Sequence, residues 1–138
     1  MITTAEADAL AAQGEYKKAA SLYARCSKPF EKVALVFVDQ NETDALRLYL
    51  TQKLVNLGRT VLPIRAPLIL QALIQRTMIS TWAIELFLDK LNSLEDSATN
   101  SNNFLVQENL KSETETIRSE FQDFITKHKV LPLFSLNL

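Results

Sequence analysis

Glycine is nearly absent: the 138 residues hold two, Gly14 and Gly58. Hairpin turns between strands draw on residues with positive φ, so this scarcity argues against a β-rich fold. One cysteine, Cys26, excludes an intrachain disulfide and fits a reducing compartment. One histidine, His128, together with that cysteine, falls far short of a zinc ligand set. No phosphate-cradling loop exists, because such loops need closely spaced glycines. Charge is missing as a bias too. With 15 basic and 16 acidic residues the net charge is −1, which gives no electrostatic reason to expect nucleic acid or an anionic membrane surface. The N-terminus has neither the basic nor the apolar region of a secretory signal. The most apolar window, Val61 to Ile74, is interrupted by Pro63, Arg65, Pro67 and Gln71 and is shorter than a membrane span. These features are those of a cytosolic protein of one domain.

What is present is a repeat. Ala9-Leu10, a polar turn and Ala19-Ala-Ser-Leu-Tyr23 are echoed by Ala34-Leu35, a polar turn and Ala45-Leu-Arg-Leu-Tyr49. The offsets are 25 residues in the first half of the unit and 26 in the second. A short unit of helix, turn and helix marks an all-α solenoid of antiparallel hairpins, in which each hairpin covers its apolar face by stacking on the next.

The pattern places about six helices. Thr3 with Glu6 forms a capping box for the first, whose inward residues are Ala5, Ala9 and Leu10, and Gly14 ends it. The second runs from about Tyr16 to Arg25, with Tyr16, Ala19, Ala20, Leu22 and Tyr23 inward. Ser27 caps the third, with Pro29 in its first turn and Phe30, Val33, Ala34, Phe37 and Val38 along it. The fourth spans about Asp44 to Leu57, lined by Ala45, Leu46, Leu48, Tyr49, Leu50 and Leu54, and Gly58 stops it. Residues 59–67 form a proline-containing linker. A long helix over about 68–94 is apolar nearly all round its first half, as expected of a helix sandwiched between neighbours. Residues 95–103 form a polar loop, and 104–110 one or two helical turns. Ser112 and Glu115 make a second capping box, opening a last helix to about Lys129 with Ile117, Phe121, Phe124 and Ile125 on one stripe. The solenoid segment is thus 1–129, and 130–138 is an apolar tail, truncated or irregular.

Little here points to chemistry. His128 sits beside two lysines in a last helical turn, where a solvated, dipole-compensating side chain is expected. Arg25 precedes Cys26, a setting that lowers a thiol pKa, but packing is the simpler role. The carboxylate pairs Glu85/Asp89 and Glu120/Asp123 lie on polar stripes and lack the burial that splits catalytic pKa values. Lys17-Lys18 reads as a solvated face balanced by Glu15. Tyr16, Tyr23 and Tyr49 take inward positions. No catalytic, cofactor-binding or metal-ligating residue is expected, and the chain is read as no enzyme.

Gly14-Glu-Tyr-Lys-Lys-Ala19 with Leu22-Tyr23 resembles the turn and second helix of a tetratricopeptide repeat. The repeat distance is not the 34 residues of that family, so a tetratricopeptide-like peptide-binding module stands as the alternative. A broader match joins three runs: Gly14 to Leu35, Asp44 to Leu50, and Gln75 to Asp96. Together they resemble the vacuolar protein sorting-associated protein 18 family in its clathrin heavy chain repeat region. Residues 5–58 and 75–129 fit; Arg59 to Ile74 and the tail depart. The resemblance implies an α-solenoid segment of a much longer subunit that also carries a β-propeller and a RING domain. It implies a non-catalytic scaffold in the HOPS and CORVET tethering complexes, acting in vesicle-mediated transport and membrane fusion. The implied partners are the other tethering subunits, with SNAREs and small GTPases reached indirectly. The implied location is the cytoplasmic face of late endosomes and the vacuole or lysosome, peripherally bound. No RING ligands occur here, so neither zinc nor a ligase role carries over. The chain is expected to be a fragment of such a subunit, with both ends open to stacking and weak stability or self-association when isolated.

Overall fold

A computed structural model of the chain describes residues 4–59 and 66–128. Among these the only regular elements are six helices: α1 (Thr4–Ala12), α2 (Tyr16–Tyr23), α3 (Phe30–Asp39), α4 (Thr43–Arg59), α5 (Ala66–Asn100) and α6 (Phe104–His128). The all-α class and the helix count agree with the sequence pattern. Thr3, most of the linker and the tail lie outside the described residues. The chain divides into two compact units, Met1–Ser80 and Thr81–Leu138.

In the first unit, two turns of one design join the helix pairs. After α1 the Gly14 N–H bonds to the Ala11 carbonyl (3.1 Å) and the Glu15 N–H to the Leu10 carbonyl (2.9 Å). After α3 the Asn41 N–H bonds to Val38 (3.0 Å) and the Glu42 N–H to Phe37 (2.9 Å). Both are Schellman motifs, which satisfy end carbonyls through one left-handed residue. That residue is Gly14 at φ 85° and Asn41 at φ 57°. Asparagine is the side chain most tolerant of this region after glycine, because its short amide bonds locally. Gln13-Gly14-Glu15 and Gln40-Asn41-Glu42 are therefore equivalent turns.

Burial corrects the repeat register. Ala7, not Ala5 or Ala9, is the buried residue of α1. Its counterpart is Ala34, and Leu10 matches Phe37, an offset of 27. Pairing Ala9-Leu10 with Ala34-Leu35 slips by two positions, which turns a helix by about 200° and selects its opposite face. Leu35 and Val38 are accordingly exposed. In the second helices the offset of 26 holds: Ala19, Ala20, Tyr23 and Ala24 match Ala45, Leu46, Tyr49 and Leu50, and all eight are buried. Leu22 and Leu48, expected inward, are only half-buried.

The core of this unit is aromatic. Phe37 meets the rings of Tyr16, Tyr23 and Tyr49 at 6.4, 6.1 and 6.1 Å, and Phe30 stacks on Tyr49 at 6.0 Å. Such pairs add about 0.5–1.5 kcal/mol each beyond their burial. The Asn56 amide donates to the Ala24 carbonyl at 2.7 Å, tying α4 to the end of α2.

Several helix limits differ from the sequence pattern. Pro29, not Ser27, is the N-cap of α3, with ψ 139°. Proline disfavours the α region for Lys28 before it, so the helix cannot begin earlier. Gly58 lies inside the last turn of α4 rather than beyond it. Residues 66 and 67 of the linker are already helical, and so are 95–100 of the polar loop. Leu94 and Ala98 continue the covered stripe of α5, which carries the helix through its polar end. Exposure of Leu73, Ile74 and Met78 shows that the start of α5 is not apolar-packed on every side.

In the second unit, α6 is one helix and not two. The Asn103 side chain caps it by accepting from the Leu105 N–H at 2.9 Å. Ser112 and Glu115, expected as a capping box, fall mid-helix, where Glu115 pairs with Arg118 at 2.7 Å. Phe87 stacks on Phe121 (5.1 Å) and meets Phe124 (5.6 Å), while Lys90 pairs with Glu113 (3.4 Å). The partners on α6 run backwards as α5 advances, so the two helices are antiparallel.

Candidate functional site

Each residue weighed for chemistry has a structural setting. Cys26 is buried in the turn after α2. Glu85, Asp89, Glu120 and Asp123 are exposed on their helices. Lys17 and Lys18 are exposed, with Lys18 at 3.8 Å from Glu15. His128 departs from expectation. It is half-buried, and its ring lies 4.9 Å from that of Phe124. Burial, and then the charge of Lys127, hold its pKa below the ordinary value of 6.5. It is therefore a mainly neutral packing residue at neutral pH rather than a solvated cation. Among the described residues, no three His, Cys, Asp or Glu side chains gather as a metal site would require.

The most organised polar group has no signature in the sequence. The Tyr23 hydroxyl donates to the Asp8 carboxylate, which also receives Lys28 Nζ at 3.0 Å. Lys28 in turn lies 5.3 Å from the centre of the Tyr23 ring. The Tyr23 hydrogen bond, with Lys28 second, lowers the Asp8 pKa. Burial, reinforced by Asp8, raises that of Tyr23. The arrangement fixes α1 to α2 and to the turn that follows. It offers no open coordination and no nucleophile with a base beside it, so it clamps rather than reacts. Its members stand 15 and 20 positions apart, beyond the reach of any helical spacing rule.

Tyr49 is fully buried, and among the described residues its hydroxyl has no hydrogen-bond partner. Burial first, then Glu31, raises its pKa. Among the described residues, a shallow, open depression runs along the polar stripe at the end of α5. Asp89, Asn92, Ser93, Asp96 and Asn100 line it. It holds carboxylates, amides and hydroxyls, but no base paired with a nucleophile.

Charge, balanced over the whole chain, is divided between its halves. Residues 1–80 carry ten basic and seven acidic side chains; residues 81–138 carry five basic and nine acidic.

Comparison with known proteins identifies the family. A family model described as VPS18, alpha-solenoid domain, first half, matches residues 1–130. The chain belongs to the VPS18 family. It is 39% identical over 120 residues to vacuolar sorting protein 18 of Arabidopsis thaliana. It is 35% identical over 115 residues to vacuolar membrane protein pep3 of Schizosaccharomyces pombe. It is 31% identical over 131 residues to the vacuolar protein sorting-associated protein 18 homolog of Danio rerio. These alignments cover 83%, 83% and 94% of this chain but only 10%, 11% and 11% of the relatives. The chain thus spans about a tenth of the length of the curated relatives it matches. The resemblance read from Gly14 to Leu35, Asp44 to Leu50 and Gln75 to Asp96 is confirmed, and the family model also matches through 59–74, which the sequence pattern left outside it. The tetratricopeptide alternative gives way to it.

Proposed function

We propose that this chain is a non-catalytic scaffold segment of a vacuolar sorting complex subunit, the membrane-tethering subunit of HOPS and CORVET. The family match over 1–130 carries the reading. The physical basis for a scaffold is the paired hairpins. Two Schellman turns and a shared aromatic core make a stiff element, and stiffness is what a spacer between distant parts of a long subunit needs. Rigidity lowers the entropic cost of presenting surfaces to partner subunits. The relatives' names place them in vacuolar sorting and at the vacuolar membrane. Among the described residues no helix is long and apolar enough to cross a membrane. Association with late endosome and vacuole membranes is therefore read as peripheral, through partner subunits, with SNAREs and small GTPases reached through the assembly. Neither a cofactor nor a nucleic acid is part of this reading.

Affinity purification of the full subunit carrying this segment tests it. Other tethering subunits are expected to co-purify, and the recovery should fall when Phe37→Ala is combined with Leu50→Ala. Absence of any tethering subunit from the wild-type preparation contradicts the reading.

A further inference from the structure

Among the described residues, α5 and α6 leave apolar side chains exposed along one side of their pairing. Phe87 of α5 and Phe124 of α6 mark the seam, with rings 5.6 Å apart. Leu88 and Ile125 each follow a seam residue by one position, a rotation of about 100°. Because the helices are antiparallel, the two rotations run to the same side. Leu88 is 46% exposed and Ile125 is 42% exposed. Ile84, Leu91 and Phe121, half-buried, fall on that side as well and nearer the seam. These five residues form a shallow apolar groove. Arg118, paired with Glu115 at 2.7 Å, bounds it on the α6 side.

The chain continues past α6 with a segment suited to that groove. Residues 130–138, Val-Leu-Pro-Leu-Phe-Ser-Leu-Asn-Leu, lie outside the described residues and carry no charged side chain. Pro132 disfavours the α region for Leu131 before it. From Phe134 onward apolar and polar residues alternate, Phe134, Leu136 and Leu138 against Ser135 and Asn137. A period of two gives an extended segment one apolar face. The spacing also fits. Alternate residues of an extended chain stand about 6.6 Å apart. Residues four apart on a helix, such as Phe121 and Ile125 or Ile84 and Leu88, stand about 6 Å apart along its axis.

We infer that residues 134–138 lie extended in the Leu88/Ile125 groove, antiparallel to α6. Phe134 sits between Ile84 and Ile125, Leu136 between Leu88 and Phe121, and Leu138 beside Leu91. Lys129 to Leu133 supply the five residues of the reversal. Closing so short a loop costs little, whereas a second molecule in the groove would forfeit its translational and rotational freedom. An uncharged segment brings no charge to desolvate, and Ser135 and Asn137 keep to the solvent side. Apolar area of groove and segment leaves water together.

Paramagnetic broadening in the whole chain tests the contact. A nitroxide is attached to Asn137→Cys, on the solvent side of the segment, in a Cys26→Ala background, with circular dichroism as the check on folding. Loss of the Leu88 and Ile125 methyl signals is expected, independent of protein concentration. No loss is expected when spin-labelled chains are mixed with isotope-labelled chains that carry no spin label. Adding Phe134→Asp or Leu136→Asp, changes in the segment that leave the helices untouched, should return both methyl signals. Adding Leu88→Glu should return that of Ile125. Methyl signals of Leu88 and Ile125 that survive the label overturn the inference. So does a loss that persists in Phe134→Asp, that falls equally on Leu105 at the far end of α6, or that appears as strongly in the mixed sample, where a second copy would be the occupant.

Discussion

Tyr23 and Tyr49 occupy equivalent repeat positions but fill them differently. The Tyr23 hydroxyl donates to Asp8; that of Tyr49 is buried and, among the described residues, has no partner. Deleting an unsatisfied buried hydroxyl removes a desolvation cost and no bond. Tyr49→Phe is therefore expected to be neutral or to stabilise by up to about 1 kcal/mol, whereas Tyr23→Phe should destabilise by about 1–2 kcal/mol, both read from urea unfolding. Phe37→Ala, which removes a fully buried ring touching three others, should cost about 3–5 kcal/mol. Leu22→Ala and Leu48→Ala should cost less than the 2–5 kcal/mol of a fully buried leucine, since both remain partly in solvent. The pH dependence follows from His128. Its folded pKa lies below 6.5, so the unfolded chain binds the proton first as pH falls. Its share of stability is complete above the unfolded value and is lost on acidification. Thermal midpoints should fall between pH 7.5 and pH 5.5, and His128→Phe should flatten that slope. Asp8 adds a second loss at lower pH, below its ordinary 3.8. At this scale the sequence was least informative. The Asp8–Tyr23–Lys28 clamp depends on contacts between separate helices, which no local pattern encodes.

At the scale of the element, the two turns are the best-specified parts of the chain. Gly14 could be read as a helix stop because a positive φ favours glycine. Asn41 carries no comparable signal, being one of several polar residues in its turn, although Gln13-Gly-Glu15 and Gln40-Asn-Glu42 differ only there. A Cβ on Gly14 would meet nothing within 4 Å. Gly14→Ala should thus cost only the backbone penalty, about 1–2 kcal/mol, and Asn41→Gly should be neutral or stabilising. Asn103→Ala should cost about 1 kcal/mol through loss of the α6 cap. Helix existence was legible from apolar spacing, yet limits were not. Polar composition suggested a loop at 95–103, but Leu94 and Ala98 keep the covered stripe in phase, and packing overrides propensity there. The two-position slip in the first half of the repeat has a related cause. Alanine recurs on both faces of α1, so matching letters did not fix the inward side.

Across the whole molecule, the solenoid was readable because hairpin repetition is a global signal, carried by many residues at once, and the family because the runs Gly14 to Leu35, Asp44 to Leu50 and Gln75 to Asp96 together resemble it. The division of charge between the halves was equally present in the sequence and is masked by a net charge near zero. The central claim is that this segment serves by its shape. It is tested most directly by replacement within the full subunit. One version carries the matching segment of the Arabidopsis relative, 39% identical; another carries a Gly/Ser linker of equal length, a flexible coil without fixed geometry. Recovery of the other subunits of the proposed complex is then measured by affinity purification. The account predicts that the relative's segment sustains assembly and the linker does not. Full assembly with the flexible linker would contradict it.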